Sequence, residues 1–402
     1  MAGLQSTWSP QAASTTVPAN ARERFRIALP VLATLVVLGA ACTPAPAEPA
    51  PPGPPVLSGF RLVAQRDSAP VVGVLRWGVS DPNHDTLTCS VDTDGDGNTD
   101  REITPCNSAS SVLVQIDQPG AHTATLEVSD GDFPPVSATL TEVIDPAPAE
   151  GFEITLRLDP AMDPVFAQAF QDAADRWAEV ITAGLPDVAA QVPAGLVGWN
   201  PAFDGVVDDV LIDARDTAID GPGQVLGQAG ALLVRSGPWL PYYGIMQFDT
   251  ADLEVLAGQG RLHDVILHEM GHVLGLGPSW LLTGRVVDPL TDPRYNGPAG
   301  VAAYQELGGS GNVPLENDGE LGTVLSHWRE SVFGDELMTG YLGFSPTALS
   351  RLTVAALADQ GYGVDLGAAD PYVLPGAALR STGEPAPSLP LHTELLAPVP
   401  DV

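Results

Sequence analysis

The sequence predicts a multidomain chain, a small all-β sandwich followed by a larger α+β domain. Three observations predict it. Residues 71–80 and 122–131 alternate apolar and polar side chains, the period-two signature of half-buried strands. Proline-rich joints at 43–55 and 145–150 bracket that β-rich stretch. Beyond the second joint, strand-like runs at 209–214 and 242–249 mix with helical periodicity at 163–184 and 263–277. A chain of 402 residues accommodates two to three such domains.

The 50 acidic residues stand against 17 basic ones, a formal charge of −33. That balance excludes nucleic acid as a partner, because phosphates need Lys and Arg, and it disfavours docking on anionic membranes. It suits a soluble, exported protein.

The elements follow in order. Residues 1–41 form a leader and signal segment: Arg22, Arg24 and Arg26 precede an apolar stretch, 27–41, that is short for a membrane-spanning helix. The run LGAAC at 38–42 resembles a bacterial lipobox, which would make Cys42 the lipidated first residue of the mature protein. Gly39 stands where that motif usually has Leu, and ordinary signal cleavage nearby is the competing reading. Residues 42–55 are an extended, semi-rigid spacer suited to holding a domain off a membrane. The expectation is an extracytoplasmic protein of the cell envelope or secreted, touching the membrane only through an N-terminal lipid.

The sandwich is expected over 56–145. The chain has three cysteines. With Cys42 lipidated or removed, Cys89 and Cys106 remain and should pair in an oxidising compartment. The run DTDGDGNTD places Asp92, Asp94, Asp96 and Asp100 at alternate positions around Gly97, a candidate Ca²⁺ loop. Ile103 stands where an EF-hand needs its bidentate Glu, so this is no EF-hand, and a solvated hairpin turn is the rival reading. The pattern W-x-V-S-D-P, D-x-L-x-C, D-x-D-G-D-G and G-x-H-T-A-T-L-x-V-S-D-G resembles PKD-type, immunoglobulin-like modules of bacterial surface proteins. Such modules serve as spacers or weak carbohydrate or protein binders.

After a linker at 146–150, the α+β domain spans 151–375, and a proline-rich tail covers 376–402. A strand at 153–158 leads into a helix with Asp163 as N-cap and Pro164 as first residue. Phe166, Phe170, Ala173, Trp177 and Ile181 recur at helical spacing as core, and Gly184 is the expected stop. Residues 263–277, HDVILHEMGHVLGLG, form a largely apolar helix. His268 and His272, four apart, leave the same face one turn apart and can hold one Zn²⁺. Glu269 is then placed to take a proton from zinc-bound water and pass it to the leaving amine. Two core histidines and a paired Glu are the bland alternative, but three polar groups on a buried apolar helix need a purpose.

A catalytic zinc needs a third protein ligand. Of seven histidines, His84 and His122 fall in the sandwich, His392 in the tail, and His263 points away from the metal face. That favours His327, with Glu306 as the rival ligand. No G-x-S-x-G occurs, and no free Cys lies near a His, so serine and thiol chemistry are unsupported.

HExxHxxG, a distant His and the run ELMTG resemble the leishmanolysin family of metzincin zinc metallopeptidases. Most metzincins place the third ligand three residues past the glycine, where this chain has Pro278. The resemblance instead implies that Gly275 turns the chain, that an insertion runs over 276–326, and that His327 completes the triad. It also implies that Met338 is the Met-turn, an apolar floor beneath the ligands. Further likeness extends over 227–230, 240–253 and 349–365. By the same resemblance Gly244, Ile245 and Met246, within 244–248, would pair with an extended substrate through main-chain hydrogen bonds, and Tyr341 lies within reach of an oxyanion or packs beside the Met-turn. A pro-segment cysteine, frequent in the family as a latency device, has no counterpart once the three cysteines are assigned.

The function expected is therefore an exported zinc endopeptidase acting on proteins or peptides. The alternative, from another class, is a catalytically inactive surface adhesion protein on the same scaffold. Intact His268, Glu269, His272, His327 and Met338 weigh against it.

Overall fold

The computed structural model describes residues 51–375, except 108–109, 224, 320–321 and 344–345, and the backbone of three short strands between 389 and 400. The leader, the signal segment and Cys42 lie outside the described residues. Among the described residues, no helix is long and apolar enough to cross a membrane.

Seven strands build the N-terminal sandwich: β1 (Val56–Ala64), β2 (Val71–Ser80), β3 (Thr88–Asp92), β4 (Arg101–Ile103), β5 (Ser110–Ile116), β6 (Gly120–Ser129) and β7 (Val136–Ile144). One sheet has the order β1-β2-β5 and the other β4-β3-β6-β7, all antiparallel. In β6 the alternation read from sequence is the burial pattern: Ala124, Leu126 and Val128 face the core. Cys89 in β3 is joined to Cys106 by a disulfide, Cα–Cα 5.9 Å. Strand β2 goes beyond period-two amphipathicity. Leu75 and Trp77 enter the sandwich core, while Val72 and Val74 enter the core of the following domain.

The second domain opens with β8 (Ile154–Leu158) and α1 (Pro164–Val180). The Asp163 carboxylate accepts from the Val165 N–H, so the helix starts where its cap and proline dictate. It stops earlier than Gly184. β-Branched Ile181 is already extended and begins β9 (Ile181–Ala183), leaving Gly184 beyond the strand. A hairpin, β10 (Val188–Val192) and β11 (Phe203–Val207), precedes β12 (Val210–Thr217), β13 (Gly227–Val234) and β14 (Pro241–Asp249).

The central sheet runs β13-β14-β12-β8. β8, β12 and β14 are parallel and β13 is antiparallel. The hairpin covers one face through Leu211, Tyr243 and Ile245. The other face is covered by α1, α2 (Thr250–Gln259) and α3 (Leu262–Val273). Gly244 makes the close approach of α3 possible. A Cβ there would lie 2.4 Å from a Val273 methyl and 2.9 Å from the Gly230 carbonyl oxygen.

After α3 the chain makes α4 (Pro278–Leu282), a small sheet of β15 (Val286–Val287), β16 (Arg294–Tyr295) and β17 (Val313–Pro314), and α5 (Pro298–Glu306) between its last two strands. Then come α6 (Glu330–Phe333), β18 (Tyr341–Leu342), α7 (Arg351–Gln360) and β19 (Gly363–Val364), which pairs with β9. The tail contributes β20 (Leu389–Pro390) against β18, and β21 (Thr393–Leu395) and β22 (Val399–Pro400) parallel to β13.

The sandwich and the second domain are not beads on a string. Val72, Val74 and Leu113 join the same buried cluster as α5 and α7, and Gln115 accepts from the Leu366 N–H at 2.8 Å.

Candidate metal centre

α3 carries His268, Glu269 and His272 in its buried second half, and each is at most 2% exposed. Trp177 of α1 fixes the helix from beneath by donating its indole N–H to the Leu267 carbonyl at 3.0 Å. Gly271 sits between the two histidines, and a Cβ there would lie 2.9 Å from the Met338 sulfur and 3.1 Å from Trp177. Met338 therefore lies directly under the helix, and the bare backbone of Gly271 makes room for it.

The helix ends where Gly275 (φ +97°) and Gly277 (φ +86°) turn the chain. Residues 276–326 then leave and return to the same place. A Cβ on Gly277 would lie 2.3 Å from the Ser326 carbonyl oxygen. The excursion thus closes on itself and delivers His327 beside His272. Trp328 donates its backbone N–H to the Met338 carbonyl at 2.9 Å, locking the returning segment to the turn that holds Met338.

The three Nε2 atoms converge. His268–His272 and His272–His327 are each 3.0 Å apart, and His268–His327 is 3.2 Å. Each ring has its Nδ1 bonded to a backbone carbonyl: His268 to Leu337 at 2.6 Å, His272 to Leu276 at 2.8 Å, and His327 to Thr323 at 2.9 Å. A carbonyl only accepts, so each Nδ1 carries the hydrogen and each Nε2 presents a lone pair. Three lone pairs about 3 Å apart repel unless a cation lies between them. Ligands 2.0–2.1 Å from a tetrahedral zinc are about 3.3 Å apart, so the observed spacing fits that ion. Burial pushes His268 down to about 3, with the His327 ring adding to it, and pushes His327 down to about 4. His272 is held well below the ordinary histidine value by burial and then by both neighbours. All three are thus neutral ligands at physiological pH.

Other sequence candidates are placed elsewhere. Glu306 is at the end of α5 and pairs with Arg351 at 3.6 Å, so it is not part of the triad. Tyr341 lies in β18, and burial followed by the nearby Glu316, Asp318 and Glu330 carboxylates raises its phenol.

The main chain of Gly244, Ile245 and Met246 is taken up on both sides by neighbouring strands, which differs from the expectation that it pairs with substrate. These residues pair with Ile212, Asp213 and Ala214 on one side and with Ala231, Gly230 and Ala229 on the other. Strand β14 is internal to the sheet, and its main chain has no free edge. β13 lies next outward in the sheet, and its outer side is paired with β21 and β22 of the tail. The expectation came from the resemblance, which carried a cleft-rim role onto the strand that precedes α3.

At the acidic turn, the Asp92 carboxylate accepts from the N–H groups of Asp94, Gly95 and Gly97, and Asp96 accepts from Asn98. Asp100 turns back to the Thr93 N–H and hydroxyl. These are the bonds of an Asx-rich hairpin turn, and they leave one carboxylate oxygen each of Asp92, Asp94 and Asp96 within 4.8 Å of the others.

Sequence reasoning missed Glu336. It is fully buried, accepts from the Met338 N–H at 2.6 Å and the Ser350 hydroxyl at 2.6 Å, and also accepts from the Thr353 hydroxyl. It ties the Met338 turn, whose Leu337 carbonyl orients His268, to the N-terminus of α7. Nothing local marked it, since Asp335 precedes it and Thr339 follows in the same turn.

Residues 239–378 match the leishmanolysin family, Peptidase M8. A leishmanolysin homolog of Crithidia fasciculata is 32% identical over 133 residues, 30% of this chain and 20% of that protein. A leishmanolysin-like peptidase of Drosophila melanogaster is 34% identical over 88 residues, 21% of this chain and 12% of that protein. The chain thus spans a fifth or less of these relatives' length. Among solved structures, a PKD domain of a peptidase from a Thermoplasmatales archaeon covers 24% of this chain and 99% of its own, at 21% identity and TM-score 0.19. A PKD domain of a human VPS10 domain-containing receptor covers 35% and 100%, at 15% identity and TM-score 0.17.

Proposed function

We propose that this chain, whose residues 239–378 carry a leishmanolysin-type region, is an exported zinc-dependent endopeptidase. The observation that carries the reading is the convergence of three buried, Nδ1-anchored imidazoles at 3.0–3.2 Å beside a buried glutamate. His268, His272 and His327 would hold zinc, which supplies Lewis acidity toward a carbonyl oxygen and lowers the pKa of water to about 7. Glu269 is the general base and then the general acid: it takes the proton of the attacking water and returns it to the departing amide nitrogen. Met338 and Trp177 keep α3 in register beneath the ligands. The extended substrate is proposed to add its main chain at the β13 edge rather than at β14. The leader, with the Cys89–Cys106 disulfide, supports export; attachment through Cys42 belongs to the same proposal.

The test is cleavage of casein by the purified full chain, with metal content measured in parallel. Glu269→Gln should lower turnover by roughly 10²–10⁴-fold while one zinc per chain is retained. His327→Ala should lose the metal, and Glu306→Ala should keep it. Undiminished cleavage by the Glu269 variant would overturn the assignment.

A further inference from the structure

Besides the carboxylates gathered in the acidic turn at 92–100, a second set lies close enough to share one ion and differs in holding buried oxygens without a donor. Asp81 follows β2 and Asp130 follows β6, so they project from the two opposing sheets at one end of the sandwich. Asp85 completes the set from the loop after β2. One carboxylate oxygen from each of the three lies within 4.8 Å of the others.

What separates this cluster from ordinary surface acid is the state of its oxygens. Asp81 is only 8% exposed. Its Oδ1 accepts from the Asn83 and Asp85 N–H groups, both at 3.0 Å, which shapes its own loop. The Oδ1 of Asp130 does the same with Asp132 and Phe133, at 3.0 and 2.9 Å. The second oxygens, Oδ2 of Asp81 and Oδ2 of Asp130, are buried with no hydrogen-bond partner. A buried carboxylate oxygen without a donor is costly, and two beside a third carboxylate are more so, unless a cation neutralises them. The Asp85 carboxyl is held above its ordinary range, by desolvation first and then by Asp81, Asp132 and Asp130, against the Asn83 amide that donates to its Oδ2. No Lys or Arg is paired with any of the three among the described residues.

We propose that Asp81, Asp85 and Asp130 bind a divalent cation of the Ca²⁺ class that clamps the two sheets of the sandwich together. Three carboxylates offer only oxygen, the donor set of a hard divalent cation, and the flexible coordination of Ca²⁺ suits ligands drawn from two separate loops better than the near-ideal octahedron that Mg²⁺ demands. The position adds a consequence for the tether. Asn83, between two of the ligands, accepts from the Gly53 N–H at 3.3 Å, so the loop that holds the ion also holds the end of the proline-rich spacer. A filled site stiffens the point at which the spacer meets the folded part.

The test uses the full chain, freed of loosely held metal and titrated with CaCl₂ by calorimetry. One ion per chain is expected, with a midpoint of about 10⁻⁴–10⁻³ M, as in extracellular modules, and a rise in thermal midpoint at saturation. Asp130→Asn should weaken binding at least tenfold, and Asp94→Asn should leave it unchanged. Asp85→Asn, at a more open position, serves if the Asp130 variant folds poorly and should weaken binding in the same sense. Absence of heat and of thermal shift at about 5 mM Ca²⁺ would overturn the site. So would binding lost in Asp94→Asn but kept in the Asp85 and Asp130 variants.

Discussion

His268, Glu269 and His272 were legible because a helix turns the spacing i, i+4 into a shared face, a relation that needs no tertiary information. His327 was reached only by eliminating other histidines and by resemblance, since nothing local marks it. Glu336 was invisible for a different reason: its partners, Met338, Ser350 and Thr353, are assembled by a turn and a helix cap that sequence spacing does not specify. Glu336→Gln sets its amide N–H₂ against the Met338 N–H in one orientation and against the Ser350 N–H in the other, and is expected to cost about 1–3 kcal/mol by leaving a buried donor unmatched. The pH dependence has a definite sign. Burial pushes the Glu336 carboxyl up to about 7 from 4.5. The folded state therefore keeps a proton that the unfolded chain releases above about 4.5. The stability this contributes is full below that pH and is lost as pH rises through 7. Denaturant titrations of metal-free wild type and Glu336→Gln between pH 4 and 8 should show the difference between them shrinking or changing sign as pH rises. A constant difference would remove the carboxyl as its cause.

Strands and helices of the second domain followed from capping and periodicity, as Asp163 and Pro164 show at the start of α1. Strand order did not, because period-two patterning says which residues share a face and nothing about which strand lies beside which. Gly244, assigned to substrate by resemblance alone, is a packing contact in this strand order. In β14 its α-carbon faces α3, and adding a methyl would drive Val273 and the helix that carries His268 and His272 away from the sheet. Gly244→Ala is expected to destabilise the chain by about 1–3 kcal/mol through overpacking and to loosen metal retention. Thermal melting and zinc exchange into a chromogenic chelator report the two effects. Unchanged melting with slower peptide cleavage would restore the original reading.

At the scale of the whole molecule, the proline-rich joint at 145–150 led to an expectation of separable modules, yet Val72, Val74 and Leu113 complete a core that they share with α5 and α7. Sequence could have hinted at this, since β2 is apolar on both faces and a lone sandwich needs only one. Residues 151–402 expressed alone should therefore expose that face and aggregate or melt well below the full chain, whereas the full chain should unfold in one calorimetric transition. Two independent transitions would contradict the shared core. The pairing of β21 and β22 with β13 carries a kinetic meaning of its own. The edge proposed for substrate is already bonded to backbone from the same polypeptide, and a tethered competitor acts at an effective concentration on the order of millimolar. On the proposed function any incoming peptide must displace it, so the apparent affinity for substrate is partly a property of the chain's own tail. Removing residues 389–402 should lower KM for a given peptide and leave kcat unchanged, which steady-state assays of the two forms would reveal.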